Sequence, residues 1–199
     1  MRNAHVVVVG GLLAALALLP GCQNAKGCWG CKQGKACKKS AMKGCAKIDS
    51  AVCVLEPTQG NNVHGVIHFE RMGQKVKVTG RVEGLTPGKH GFHVHEYGDI
   101  TAADGKSAGG HFNPTHEEHG RPQDAVRHVG DLGNIEAGAD GVANVNIVDN
   151  VISLGCPHCI LGRGLVVHAG EDHFTQPTGD AGARVAVGVI GVANPSSGG

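Results

Sequence analysis

Aromatic side chains are almost missing from this chain of 199 residues: one Trp, one Tyr and four Phe account for 3% of it. A core without that mass is built from small and β-branched residues, which favours short strands and many turns over a helical bundle. Long apolar runs are lacking too. The one candidate, Val6 to Leu19, holds fourteen residues; as a helix it spans about 21 Å, short of the ~30 Å hydrocarbon core of a bilayer. A multi-span membrane protein is therefore excluded, and a 41% hydrophobic content excludes a disordered chain. A surplus of cations is missing where a nucleic-acid binder needs one. Residues 51–199 carry ten Lys and Arg against sixteen Asp and Glu, whereas residues 22–50 carry seven Lys against Asp49. A body at −6 repels phosphate, so no nucleic-acid partner is expected.

What the chain has in excess is 33 Gly, 13 His and 8 Cys, which makes metal chemistry the first expectation. Its length fits one domain with accessory segments. The apolar run after Arg2 ends in Leu19-Pro20-Gly21-Cys22. This string resembles a bacterial lipobox, so residues 1–21 are read as a lipoprotein signal peptide and Cys22 as the lipidated first residue of the mature chain. Acylation there holds a protein on a membrane surface without a spanning helix. Ordinary secretion is the alternative, although no A-x-A cleavage site lies near position 21. Both readings place the protein outside the cytoplasm, in the periplasm or cell envelope, where disulfides persist. Gln23 rather than Asp after the lipidated position leans toward the outer membrane.

Residues 22–50 read as a Cys/Lys/Gly-rich tether with too few branched apolar residues to form a core. Its Cys28, Cys31, Cys37 and Cys45 leave two readings open: a thiolate site for zinc or Cu(I), or two local disulfides that stiffen a stalk. Cys31 is followed by Lys32 rather than His, so covalent haem attachment is not indicated.

From Ala51 onward, strand-like runs recur at 51–56, 64–70, 75–83, 90–96, 131–136, 142–149, 163–168 and 185–192. Val142-Ala143-Asn144-Val145-Asn146-Ile147 alternates with period two, and Leu85-Thr86-Pro87-Gly88 and Asp140-Gly141 supply turns. The expectation for 51–199 is an all-β, eight-stranded antiparallel Greek-key barrel or sandwich, immunoglobulin-like, with long functional loops at about 97–130 and 169–184. His93 and His95 share one face of a strand, because residues i and i+2 point the same way. His111, His119, His128 and Asp131 lie in or beside the first long loop, and His168 ends another strand. The other body histidines, at 64, 68, 90, 116, 158 and 173, are expected to be surface or structural residues.

These strings carry a resemblance. Gly91-Phe92-His93-Val94-His95-Glu96, Gly110-His111-Phe112-Asn113-Pro114, Arg127-His128-Val129-Gly130-Asp131-Leu132-Gly133-Asn134 and Gly188-Val189-Ile190-Gly191 resemble the copper/zinc superoxide dismutase family over about 51–193. With the leader, the chain looks like a bacterial lipoprotein form with eukaryotic-type motifs. The resemblance implies copper ligands His93, His95, His111 and His168, and zinc ligands His111, His119, His128 and Asp131, with His111 shared. It also implies that Asp172 hydrogen-bonds ligands of both metals, that Arg184 stands beside copper to pair with the anionic substrate, and that Thr178 faces it. The reaction implied is disproportionation of superoxide to oxygen and hydrogen peroxide, with His111 carrying a proton, in the service of protecting the cell envelope.

The same resemblance implies a homodimer through Val52, Val54, Leu161, Gly162, Val189 and Val192. A copper-storage lipoprotein and a copper-only dismutase are the competing readings. Arg184 argues against the first, and the full zinc set against the second.

Three departures from the family stand out. The family's disulfide would join the first loop at Asp104 or Gly105 to Val187, and none of these is Cys, so the stabilisation of that bridge comes from elsewhere or is absent. The second loop has few charged residues. Cys156-Pro157-His158-Cys159 has no family counterpart; it resembles the string of thiol oxidants but falls between strands, where a local disulfide or an inert pair is expected. Cys53 is the expected buried thiol.

Overall fold

The computed structural model describes residues 48–194. The expected signal peptide 1–21, Cys22 and residues 23–47 of the expected tether lie outside the described residues. Eight strands form the body: β1 (Ser50–Pro57), β2 (His64–Met72), β3 (Lys75–Glu83), β4 (Gly88–His95), β5 (Asp131–Ala137), β6 (Ala143–Asp149), β7 (Gly164–His168) and β8 (Arg184–Val189). The run expected at 185–192 is broken by Ile190 and resumes as a two-residue strand, β9 (Gly191–Val192). The break is explained by pairing: Ile190 exchanges backbone hydrogen bonds with Gly162 and Arg163 of a loop instead of with β1. Contacts also precede the strand run expected at 51–56. Ile48 packs on the core, its carbonyl accepts both Nε and Nη2 of Arg71, and β1 opens at Ser50.

The strand order is β2-β3-β6-β5-β4-β7-β8-β1, and β1 pairs back onto β2 to close the ring. Within that ring, β7 lies beside β4 of the sequential set β4-β5-β6, which is Greek-key order. Pairing is continuous along β1-β2-β3-β6 and along β5-β4-β7-β8. At the seams it shrinks to Ala137↔Ala143 between β5 and β6, and to two pairs between β1 and β8. The barrel is therefore flattened into two facing sheets, which reconciles the barrel and sandwich descriptions.

Alternation places the core between those sheets. On β1, Ala51, Cys53 and Leu55 are buried while Val54 is 52% exposed. Phe69, Ile67, Phe92, Leu132 and Leu165 fill the centre, each contributing about 1.5–3 kcal/mol by leaving water. On β4 every residue from His90 to His95 is buried. Phe92 and Val94 face the core, and the opposite face lies under the loops, so the alternation of a half-buried strand is hidden there. Among the described residues no helix is long and apolar enough to cross a membrane.

Where β5 begins and β6 ends, Arg127 and Asp149 form an ion pair with both side chains 2% exposed. Arg127 also donates to the carbonyl of Asp131 at 2.7 Å. The other carboxylate oxygen of Asp149 accepts the amides of Val151 and Ile152 at 2.7 and 2.8 Å. The pair joins the start of β5 to the end of β6 and to the connection 150–163, a third long loop that the turn signals did not reveal.

Candidate metal centre

Register assembles the site on the outer face of the β5-β4-β7-β8 sheet. Asp131, the first residue of β5, pairs with His93 after a bulge in β4. His168, the last residue of β7, stands opposite Arg184, the first of β8, again across a bulge. His111 pairs with His95 through an isolated bridge. His119 and His128 come in on the first loop, which runs from 96 to 130. All these histidines and Asp131 are buried.

The second nitrogen of each ring decides which one is offered. His95 donates Nδ1–H to the carbonyl of Gly109 at 2.9 Å, and His168 donates Nδ1–H to that of Gly182 at 3.1 Å. Both Nε2 atoms are then lone pairs, yet they face each other at 3.4 Å. Two ligands of one tetrahedral ion, each at about 2.0–2.1 Å, lie about 3.3 Å apart. His93 gives Nε2 to Asp172 at 2.8 Å, and its buried Nδ1 has no hydrogen-bond partner. His119 gives Nε2 to Asp172 at 2.9 Å, while its Nδ1 sits 2.9 Å from Asp131 Oδ2 without hydrogen-bond geometry. Nδ1 of His111 lies 2.9 Å from Asp131 Oδ1 and 3.4 Å from Nδ1 of His128. Buried lone pairs and carboxylate oxygens converging without protons between them are a cation's coordination shell.

Two sets of four donors emerge: His93, His95, His111 and His168, and His111, His119, His128 and Asp131. A further cluster, His93, His119 and Asp172, uses the ring nitrogens already hydrogen-bonded to Asp172 and serves as a link between the sets.

Electrostatics agree with ligand duty. Burial pushes His93 down to about 3, against the opposing hydrogen bond it donates to Asp172, and pushes His168 down to about 4. Burial also lowers His95 and His111. His119 differs: burial lowers it, but the carboxylates of Asp131 and Asp172, one beside each ring nitrogen, outweigh that and raise it to about 9. Burial alone would raise Asp131 and Asp172, and the imidazoles around them instead hold both well below the usual carboxylate range.

The metal-free protein should accordingly be most stable near neutral pH. His93 and His168 stay neutral when folded but take up protons below about 6.5 when unfolded, so their contribution is lost as pH falls from 6.5 toward 4 and 3. His119 contributes below 6.5, and that contribution is lost as pH rises through about 9. Thermal unfolding of chelator-treated protein across this range should show both limbs; a midpoint that holds steady from pH 7 to pH 4 would contradict the burial of neutral imidazoles.

Several supporting residues escaped the sequence reading. Asn134 clamps the backbone of Asp172 with its amide, donating at 2.9 Å and accepting at 2.8 Å. Gln176 does the same for His119, at 2.8 and 3.0 Å. Gly179, at φ +82°, leaves room for the carboxylate, since a Cβ there would lie 1.8 Å from Asp172 Oδ1. His90, expected to be structural, holds the carbonyl of His168 through Nδ1 at 2.9 Å. Nothing in residue type or spacing marks Asn134, Gln176 or Gly179 as partners of a ligand.

Arg184 lines a cavity of about 450 Å³ together with His95, His111, His168, Thr178 and Lys106. Its guanidinium donates to the carbonyls of Gly105 and Gly109. Thr58 Oγ1 binds the Arg184 carbonyl at 2.7 Å, and the Gln59 amide reaches Ala103 at 2.8 Å. These contacts tie the first loop to β8 at the place where the family's disulfide is missing.

Two cation sites sharing one imidazole on a closed Greek-key barrel define a binuclear, histidine-bridged metalloprotein. The family model described as copper/zinc superoxide dismutase matches residues 63–190. The chain is 47% identical over 156 residues to an extracellular copper/zinc superoxide dismutase of Brugia pahangi, covering 73% of this chain and 77% of that one. It is 48% identical over 155 residues to a copper/zinc superoxide dismutase of Onchocerca volvulus, covering 72% and 96%. Among solved structures, the clock protein EA4 superposes with a TM-score of 0.70 at 42% identity, covering 75% of this chain and 98% of that one. The chain belongs to the copper/zinc superoxide dismutase family and is a superoxide-dismuting enzyme. His93, His95, His111 and His168 are its copper site, and His111, His119, His128 and Asp131 its zinc site. Both relatives are nematode enzymes, so the expected likeness to a bacterial lipoprotein form does not come from them.

Proposed function

We propose that the enzyme works at a membrane surface of the cell envelope, anchored through lipidated Cys22, and removes superoxide before it damages envelope components. Leu19-Pro20-Gly21-Cys22 and the seven lysines that follow support the anchor. The extracellular name of the Brugia pahangi relative agrees with export. The signal peptide 1–21, tether 22–50 and catalytic body 51–199 are the corresponding domains. The body is a homodimer joined through its outward apolar residues: Val54, Val189 and Val192 are 52%, 38% and 60% exposed on one edge, and Val52, Leu161 and Gly162 flank them.

In the reaction, two superoxide anions and two protons become oxygen and hydrogen peroxide. Bound copper supplies the one-electron couple. Arg184 attracts and orients the anion. Its guanidinium is fixed by two loop carbonyls and partly stripped of water, which strengthens its pull. Lys106 on the rim pairs with Asp104 at 2.9 Å and keeps that carboxylate from opposing the approach. His111 carries the proton: its Nδ1 is committed to the Asp131 side, which leaves Nε2 toward the cavity for proton uptake and release. Asp172 orients His93 and His119 by holding their Nε2–H groups.

The placement of Arg184 in the same cavity as His95, His111 and His168 carries this reading. Arg184→Ala should lower kcat/KM about 10- to 100-fold, the scale of one lost charge interaction of about 1.4–2.7 kcal/mol, and flatten its ionic-strength dependence while copper and zinc content stay unchanged. Full activity with the original salt dependence would remove Arg184 from substrate handling.

A further inference from the structure

The second loop takes hold of His119 through alternate residues, Asp172, Phe174 and Gln176. Asp172 accepts the Nε2–H of His119 at 2.9 Å, and Gln176 binds both backbone groups of His119, donating at 2.8 Å and accepting at 3.0 Å. Between them stands Phe174, which belongs to neither metal set. Its ring is stacked on the imidazole of His119, with centroids 6.0 Å and planes 19° apart. Near-parallel rings at this range attract each other. The guanidinium of Arg121 lies over the same Phe174 ring, 4.7 Å from its centroid, within reach of a cation–π contact.

The backbone is bent to bring the ring there. Phe174 has φ +60°, a left-handed conformation that bulky residues rarely adopt. Its amide donates to Asp172 Oδ1 at 2.8 Å. Around it the segment 173–180 closes on itself: the His173 amide donates to the Gly179 carbonyl at 2.9 Å, the Gly179 amide to the Thr175 carbonyl at 2.7 Å, and Thr175 Oγ1 to Asp180 Oδ2 at 2.8 Å. Such a conformation persists where the surroundings over-determine it, and residues of this kind collect at functional sites.

Phe174 also stands between His119 and solvent. The ring is half-buried and lines a surface cavity of about 560 Å³ with Arg121, Pro122, Leu132 and Asn134. His119 and Asp172 do not line this cavity and are 4% and 0% exposed. Because Phe174 both lines the cavity and packs on His119, it is the wall between them. A histidine gives up its metal by turning its ring away, and a competing ligand enters as the ring turns. An imidazole that lends its lone pair to a cation is electron-poor, and an electron-poor ring is drawn to the negative face of a benzene ring.

We propose that Phe174 is a positioning residue of the zinc site: its ring holds the His119 imidazole in ligating orientation and bars competing ligands, so that zinc leaves when the segment 173–180 opens. The inference rests on the zinc set and not on turnover, so metal exchange rather than dismutation tests it.

The full-length protein, loaded with copper and zinc, is held in excess EDTA, and the copper and zinc still bound are measured over time by emission spectrometry. Phe174→Ala should lose zinc about 10-fold faster than the wild type, the lower end of the effect of removing a group that supports a metal-bound histidine, while copper leaves at the wild-type rate. Phe174→Tyr keeps the flat ring and should keep the wild-type rate of zinc loss. Phe174→Leu keeps apolar bulk without a flat face and should behave as Phe174→Ala does; if the Ala variant does not fold, the Leu and Tyr variants carry the same comparison. With Co(II) in the zinc set, the visible absorption bands should shift in the Leu variant and not in the Tyr variant. Wild-type zinc loss in the Ala or Leu variant would overturn the proposal. Equal acceleration of copper and zinc would overturn it as well, because it marks a general loosening of the fold.

Discussion

Asp172→Ala should weaken the binding of copper and zinc together, each by about 10- to 100-fold, the usual effect of losing a group that orients a metal-bound histidine. One buried carboxylate holds Nε2 of His93 in the copper set and Nε2 of His119 in the zinc set, at 2.8 and 2.9 Å. Removing it frees both rings to turn and leaves two N–H groups without an acceptor in a site closed to water. Asp172→Asn separates this role from simple packing. An amide oxygen placed where Oδ2 lies still accepts from both rings, at 2.8 Å from His93 and 3.0 Å from His119, while its NH2, at the Oδ1 position, opposes the N–H of His119. One metal should then be retained better than the other. Competitive chelation followed for each metal separately measures this; equal, wild-type affinities in both variants would show that the ligands are oriented by their backbone alone.

The largest effect on folding is expected at the buried pair of Arg127 and Asp149. Arg127→Leu leaves the Asp149 carboxylate buried with only its two amide donors, and breaking a buried pair costs about 3–5 kcal/mol. For a body of this size that lowers Tm by roughly 6–20 °C. Replacing both partners with Leu should recover part of the loss, because two apolar side chains carry no uncompensated charge. Recovery stays incomplete because Asp149 also accepts the amides of Val151 and Ile152. Differential scanning calorimetry of the metal-loaded single and double variants distinguishes the cases, and a double variant no better than the worse single one would contradict a charge-based cost.

The zinc site should share in the damage. Arg127 donates to the carbonyl of Asp131 and stands next in sequence to His128, so its loss reaches two zinc ligands through the backbone. Copper binding should change less than zinc binding in the same variant.

Much of the fold could be read in the chain because alternation and turn chemistry are local. The runs at 64–70 and 75–83 lie within β2 and β3, and Asp140-Gly141 closes the hairpin from β5 to β6, where Gly141 takes φ +73°. The metal ligands were legible for a different reason: imidazoles at positions 93 and 95 must share a strand face, and the motif order supplied the rest. What could not be read depends on register and on contacts between distant segments. No local pattern says that Asp131 will face His93, or that Arg184 will face His168 across a bulge.

The missing disulfide shows the same limit. Sequence reports that Cys is absent at 104, 105 and 187, but the replacement is made by Arg184, Thr58 and Gln59, residues of ordinary type whose role appears only when β8, the β1–β2 turn and the first loop meet. Asn134 and Gln176 are similar: each is a common amide until it closes on the backbone of Asp172 or His119.

Crystals of the oxidised enzyme, measured at the copper and zinc absorption edges, test the central claim most directly. The anomalous maps should place one copper among the rings of His93, His95, His111 and His168, one zinc among His111, His119, His128 and Asp131, and the His111 ring between the two ions. A single ion, or two ions of which only one touches His111, would contradict the shared-imidazole centre.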